Sequence, residues 1–124
     1  MFLNAAAVFF GGAFGALFRF LLSEIFPLNK FGIPLTIILI NFAGCFLMGL
    51  ADGVFEKFVL PSHSKYFVTV GLLGGFTTFS AFSLEFADLI RNGHLLNSFI
   101  YVAISVFTAL AGFWLGYLLS KGTL

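Results

Sequence analysis

The sequence predicts an all-α membrane protein with four transmembrane helices, the third of them broken near the midplane. Three observations carry that expectation. The 124 residues are 60% hydrophobic and only 9% charged, against roughly 45–50% and 25% in an ordinary soluble domain. Four charge-free runs, at 2–18, 31–51, 66–84 and 95–120, divide the chain. Glycine and threonine then crowd the centre of the third run, and both weaken a helix. Six basic and five acidic side chains are too few to coat a water-facing surface. The length suits one domain, residues 1–124, with spans at about 2–25, 31–55, 66–90 and 95–120.

Each run can be justified in turn. A span needs about 20 apolar residues to cross roughly 30 Å of hydrocarbon. The first run reaches that length if it continues past Arg19 to Leu22. It lacks the basic leader and small-residue cleavage site of a signal peptide. Residues 27–30 connect it to the second run, which carries Pro34 near its start and Asn41 at its midpoint. Residues 56–65, with Pro61, lead to the third run, and 91–94 turn through Asn92-Gly93 into the fourth. Backbone groups in lipid must be satisfied internally, which selects helices. A barrel would need alternating strands of about ten residues, and the pattern has none.

Composition also excludes whole classes of function. A net charge of +1 leaves no footprint for nucleic acid. Cys45 is the only cysteine, so neither an intramolecular disulfide nor a zinc cage can form. It reads as core packing. His63 and His94 are isolated in loops, and no Ser/His/Asp, paired-carboxylate or Cys/His set has catalytic spacing. An enzyme, or a partner that is a protein substrate, is not expected.

The orientation code is balanced. With four spans, Lys30 and Arg91 share one side, and Arg19 can reach toward it from late in span 1. Lys57, Lys65 and Lys121 take the other side. Three against three suits a chain that inserts both ways round; a weak bias would give one orientation. A four-helix bundle this small cannot enclose a water-filled path, which points to assembly. Small-xxx-small pairs occur in every span, at Gly11/Gly15, Gly49/Gly53, Gly71/Gly75 and Gly112/Gly116. They serve close packing, either within one bundle or between copies.

Polar side chains at membrane depth are functional candidates. Asn41 reads either as an amide lining an anion or water path or as interhelical glue. The stretch 71–83 predicts a break, which would aim a half-helix N-terminus at anions and free carbonyls at cations. Two stripes at i,i+3 spacing follow, Phe76/Phe79/Phe82 and Thr77/Ser80/Ser83. Ring edges beside hydroxyls suit an anion, and ring faces suit a cation. Arg19 either attracts anions at a vestibule or snorkels. Glu85 and Asp88 close span 3, with Asp88 able to pair with Arg91.

The segments GGAFGALFRF at 11–20, INFAGCFLMG at 40–49 and above all GLLGGFTTFSAFSLE at 71–85 resemble the Fluc (CrcB) family of fluoride-specific ion channels. The resemblance runs over essentially the whole chain. It implies an antiparallel, dual-topology homodimer in the cell membrane, multi-pass, with two pores. It implies passive fluoride export that lowers intracellular fluoride and its toxicity. By match of motif, Asn41, Phe79, Phe82 and Ser80 would line the fluoride pore and Arg19 the vestibule. Gly74 and Thr77 would offer backbone carbonyls to a structural Na⁺ at the dimer axis. Glu85 matches a recurrent acidic position. Ala81 stands where many relatives carry Thr, and Thr36-Ile37 where a Gly-Thr pair is usual. The family's hydroxyl positions in span 4 fall at Ala109 and Phe113, and Ser105 and Thr108 are expected in another register.

Two other readings compete. A small multidrug-type proton-coupled exporter has similar length and topology, but needs a carboxylate in the first span. Residues 2–18 have none, and Glu24 lies at the span's end. A noncatalytic membrane assembly protein would use the glycines only for packing and pass no ion.

Overall fold

Apolar runs of this length form helices because lipid offers their backbone no partner. The computed structural model describes residues 1–123; Leu124 lies outside them. Four helices are long and apolar enough to cross a membrane: Phe2–Ile25, Thr36–Lys57, Ser62–Arg91 and Leu95–Lys121. The protein is a multi-pass membrane protein. In chain order, α1 is Phe2–Ile25, β1 Asn29–Lys30, β2 Ile33–Pro34 and α2 Thr36–Lys57. The third span comprises α3 (Ser62–Tyr66), a π-helical segment (Phe67–Leu73), α4 (Gly74–Phe76) and α5 (Phe79–Arg91). The last span is α6, Leu95–Lys121.

The broken third span is observed. Thr77 (φ −76°, ψ 155°) and Thr78 (φ −152°, ψ 126°) are extended, and they separate α4 from α5. The wide π-helical turn before the break is not evident from composition. Thr69 lies within it, and its hydroxyl donates to the Lys65 carbonyl at 2.9 Å. That bond competes locally with regular helix geometry.

Two boundaries differ from the sequence reading. The second helix starts at Thr36 rather than at residue 31, because residues 29–34 fold back as a hairpin, with Asn29 opposite Pro34 and Lys30 opposite Ile33. Phe31 (φ 56°) and Gly32 (φ 74°) both take left-handed backbone in its turn, as a tight hairpin with right-handed twist requires. Asn97 Nδ2 holds that turn through the carbonyls of Phe31 (3.2 Å) and Gly32 (3.3 Å). The third span starts at Ser62 rather than 66, one turn earlier, after Pro61.

The spans pair out of sequence order. α2 packs chiefly on α6, and α1 on the first half of the third span. Glycines set both seams. A Cβ on Gly49 would strike the Phe113 carbonyl, and one on Gly116 the Phe46 carbonyl. On the other seam, a Cβ on Gly15 would strike the Leu72 carbonyl, and one on Gly71 would come within 2.9 Å of the Gly11 Cα. The small-residue pairs are therefore consumed by packing within the chain itself.

Side chains tie the two ends. At one, Lys121 pairs with Glu56, Tyr117 Oη donates to Glu56 Oε2 at 3.1 Å, and Ser62 Oγ meets Asn4 Oδ1 at 3.1 Å. At the other, Thr36 Oγ1 donates to the Phe26 carbonyl (2.7 Å) and accepts from the Leu28 amide (2.8 Å). Asp88 pairs with Arg91, as the i,i+3 spacing suggests.

Overpacking a tight seam costs about 1–3 kcal/mol. Gly116→Ala should therefore lower the midpoint of denaturant unfolding in detergent. Gly12→Ala should leave that midpoint nearly unchanged, because its Cβ meets nothing within 4 Å.

Candidate functional site at the helix break

The break frees backbone groups that a continuous helix would satisfy. Asn41, half-buried on α2, takes up two of them. Its Nδ2 donates to the Thr78 carbonyl at 3.0 Å, and its Oδ1 accepts the Thr78 amide at 2.8 Å. The side chain thus imitates a strand partner for one residue. An amide nitrogen carries two hydrogens, so the second remains for another acceptor.

Each half-helix end has its own cap. Thr77 directs both its amide (2.9 Å) and its hydroxyl (3.0 Å) to the Leu73 carbonyl. Arg19 Nε donates to the Gly75 carbonyl at 3.3 Å, placing a cation at the C-terminal end of a helix, where the dipole favours it. Thr78 caps α5: its Oγ1 accepts the Ala81 amide at 3.1 Å and lies 3.0 Å from Ser80 Oγ. That pair of hydroxyls shares one hydrogen bond, so one hydroxyl hydrogen stays free. The Thr78 amide goes to Asn41 and is withheld from the Gly74 carbonyl, its acceptor in an unbroken helix.

A cavity of about 410 Å³ opens beside the break. It is lined by Asn41, Gly74, Thr77 and Thr78, by Phe79 and Phe82, and from α6 by Ser105 and Ala109, among others. The sequence-predicted residues Asn41, Phe79, Phe82, Gly74 and Thr77 thus come together. Ser80 and Arg19 are not in that lining. Ser80 reaches it only through Thr78, and Arg19 is held at the Gly75 carbonyl.

The two sequence stripes do not survive as stripes, because the extended residues rotate α5 relative to α4. Phe76 turns into the core, 6% exposed and 5.6 Å from Phe18 between ring centres. Phe79 and Phe82 stay together, 5.0 Å apart and tilted by 42°. Phe82 also stacks on Tyr101 at 5.2 Å, which covers one ring face. Ser83 Oγ bonds back to the Phe79 carbonyl at 2.8 Å.

Span 4 holds what the sequence reading missed. Tyr101, fully buried, donates its hydroxyl to Glu85 Oε2 at 2.5 Å. This joins α5 to α6 and orients the ring that backs Phe82. Ser105, placed off register from the sequence, lies one turn on and lines the cavity. Its hydroxyl is buried without a hydrogen-bond partner, although the Tyr101 hydroxyl stands near it. The i,i+4 spacing of Tyr101, Ser105 and Ala109 was the available signal. Thr108 turns away and bonds the Ile104 carbonyl at 2.7 Å.

Leaving buried polar groups unpaired costs about 1–3 kcal/mol. Asn41→Ala should destabilise the folded protein by that order. Amide hydrogen exchange at Thr78 should accelerate selectively, and an unchanged Thr78 rate would contradict the clamp.

Residues 6–117 match the family described as CrcB-like protein, Camphor Resistance (CrcB). The chain is 37% identical over 115 residues to the fluoride-specific ion channel FluC of Flavobacterium psychrophilum, covering 90% of this chain and 91% of that protein. The protein of the same name from Ruminiclostridium cellulolyticum is 38% identical over 122 residues, covering 96% and 93%. That from Thermococcus gammatolerans is 36% identical over 118 residues, covering 94% and 95%. Family match and relatives agree along nearly the whole length, and the chain belongs to the CrcB family.

Proposed function

We propose that the chain forms a fluoride-selective ion channel through which fluoride leaves the cytoplasm passively, down its gradient. The observation that carries this reading is the cavity at the helix break, lined by Asn41, Thr78, Phe79 and Phe82. Relatives named fluoride-specific ion channels support it. The exporter reading finds no support there, and the first span carries no acid before Glu24.

Fluoride is small and strongly hydrated, so a narrow path must replace its water with donors. The second Asn41 N–H, the free hydrogen of the Thr78–Ser80 pair and the Ser105 hydroxyl supply them. The rims of Phe79 and Phe82 add weak positive potential. Contacts of this kind bind loosely enough for release. Arg19 acts as a nearby cation at the entrance side of the break.

One protomer is too thin to surround an ion, and Phe79 is 76% exposed. The proposed unit is therefore an antiparallel homodimer inserted in both orientations. Gly74 is exposed beside the break, and its carbonyl and that of Thr77 are hard oxygen donors of the kind Na⁺ takes. Together with the same pair from a second copy they would hold a structural Na⁺. Such an ion would neutralise carbonyl dipoles at the axis and hold the copies together.

Liposomes containing purified protein should release fluoride to an electrode well above empty liposomes; no release from folded protein overturns the channel. Phe79→Ile, Phe82→Ile and Asn41→Ala should each cut flux at least several-fold, and undiminished flux in all three removes these residues from the path. Exchange of Na⁺ for N-methylglucamine should weaken the dimer or the flux. Terminal tags should be readable from both faces of the membrane, and a single orientation would refute dual insertion.

A further inference from the structure

At the end of the bundle where α2 stops, a cavity of about 380 Å³ lies between α2 and the start of the third span. Asp52, Phe55 and Glu56 line it from α2, and Ser62, Lys65 and Tyr66 from the third span. Its two carboxylates differ. Glu56 is engaged by Lys121 and by the Tyr117 hydroxyl. Asp52, one turn earlier on α2, has no ion pair among the described residues. Lys65, on the other wall, pairs with neither carboxylate; its Nζ lies over the Phe55 ring, 5.9 Å from the centre. The cavity thus has one negative and one positive group that do not reach each other. That pattern complements a ligand carrying both charges, with a cationic end for Asp52 and an anionic end for Lys65. A second, open groove of about 480 Å³ adjoins it. Met1, Asn4, Ala5 and Val8 of α1 line that groove, with Tyr66 and Val70 of the third span. Tyr66 is common to both linings, and the Ser62–Asn4 bond joins one lining to the other. Tyr66 is 43% and Val70 52% exposed, so the groove opens sideways, toward hydrocarbon in a membrane. A two-charge cavity at a span end, joined to a mostly apolar groove leading inward, has the outline of a phospholipid.

We propose that these adjoining spaces bind a phospholipid whose headgroup carries a primary ammonium, of the phosphatidylethanolamine class. The ammonium donates to the Asp52 carboxylate, and the phosphate accepts from Lys65, with the Tyr66 hydroxyl beside it. One acyl chain lies along Ala5, Val8 and Val70. A choline headgroup has the same charge but no N–H to give to Asp52. A glycerol headgroup has no cation at all and leaves Asp52 against a lipid of net negative charge. The site lies away from the helix break and does not rest on the fluoride-channel reading.

The test titrates the purified protein in detergent with dioleoyl lipids and reads bound lipid by native mass spectrometry. Phosphatidylethanolamine should bind at least several-fold more tightly than phosphatidylcholine or phosphatidylglycerol. Its N-methyl and N,N-dimethyl forms should bind progressively less as N–H groups are lost. Asp52→Asn should erase the preference over phosphatidylcholine, and Lys65→Gln should weaken all three lipids. Equal binding of the ethanolamine and choline lipids overturns the proposal, as does a preference that survives Asp52→Asn. Tighter binding of phosphatidylglycerol would leave only a basic surface and overturns it too. Glycerophosphoethanolamine, which has no acyl chains, should compete poorly; competition as strong as that of the whole lipid would make the ligand a soluble phosphate ester and remove the groove from the site. The methylation series uses the unaltered chain, so it decides the matter even where a variant fails to fold. Binding is read without ion flux, so this site and the channel reading fail separately.

Discussion

The amide of Asn41 against the backbone of Thr78 is the contact on which the rest of the site depends. Lipid cannot solvate a peptide group, so a helix that stops in mid-membrane must find its lost partners within the protein. Asn41 supplies a donor and an acceptor in the geometry a neighbouring strand would offer. With that substitute in place, two residues can stay extended without an unsatisfied peptide at depth. Everything of chemical interest follows from that interruption. It opens the cavity, turns Phe79 and Phe82 toward it, exposes the first turn of α5, and releases the Gly74 carbonyl from its usual bond.

The glycine seams make the interruption affordable in another sense. They press α1 against the first half of the third span and α2 against α6 at backbone distance. Arg19 is thereby brought within reach of the Gly75 carbonyl, and Asn41 within reach of Thr78. Close approach is worth more in lipid than in water, because no hydrophobic drive operates between helices there. Tyr101 completes the frame from the far side. Its bond to Glu85 fixes α5 on α6 and holds the ring against which Phe82 stacks.

Much of this was legible in the residues themselves. Scarce charge and long apolar runs fix the number of spans, and the cluster from Gly71 to Thr78 locates the break. Asn41 stood out by position, and the interhelical hydrogen bond and the cavity wall turn out to be compatible, since an amide has more than one hydrogen to give. The misses have physical causes. Hydropathy cannot see the hairpin at 29–34, because Phe31 and Ile33 are as apolar as a span. Stripes at i,i+3 assume an unbroken helix, so Phe76 and Thr77 were assigned faces that the break moves. Ser105 was set aside by its register along α6, whereas its place depends on how α6 rotates against α2.

The interleaved pairing of spans bears on how such a chain is made. A polypeptide enters the membrane from its N-terminus, yet α1 finds its main partner only in the third span and α2 only in the last. Neither glycine face can be covered by its sequence neighbour. The α2 seam stays open until synthesis is almost complete, and the closing contact joins segments far apart in the chain, with the loop entropy that implies. Until then, α2 stands with its tight, backbone-rich face uncovered. Changes at Gly49 or Gly116 would therefore lower the yield of inserted protein as well as the stability of the molecules that do assemble.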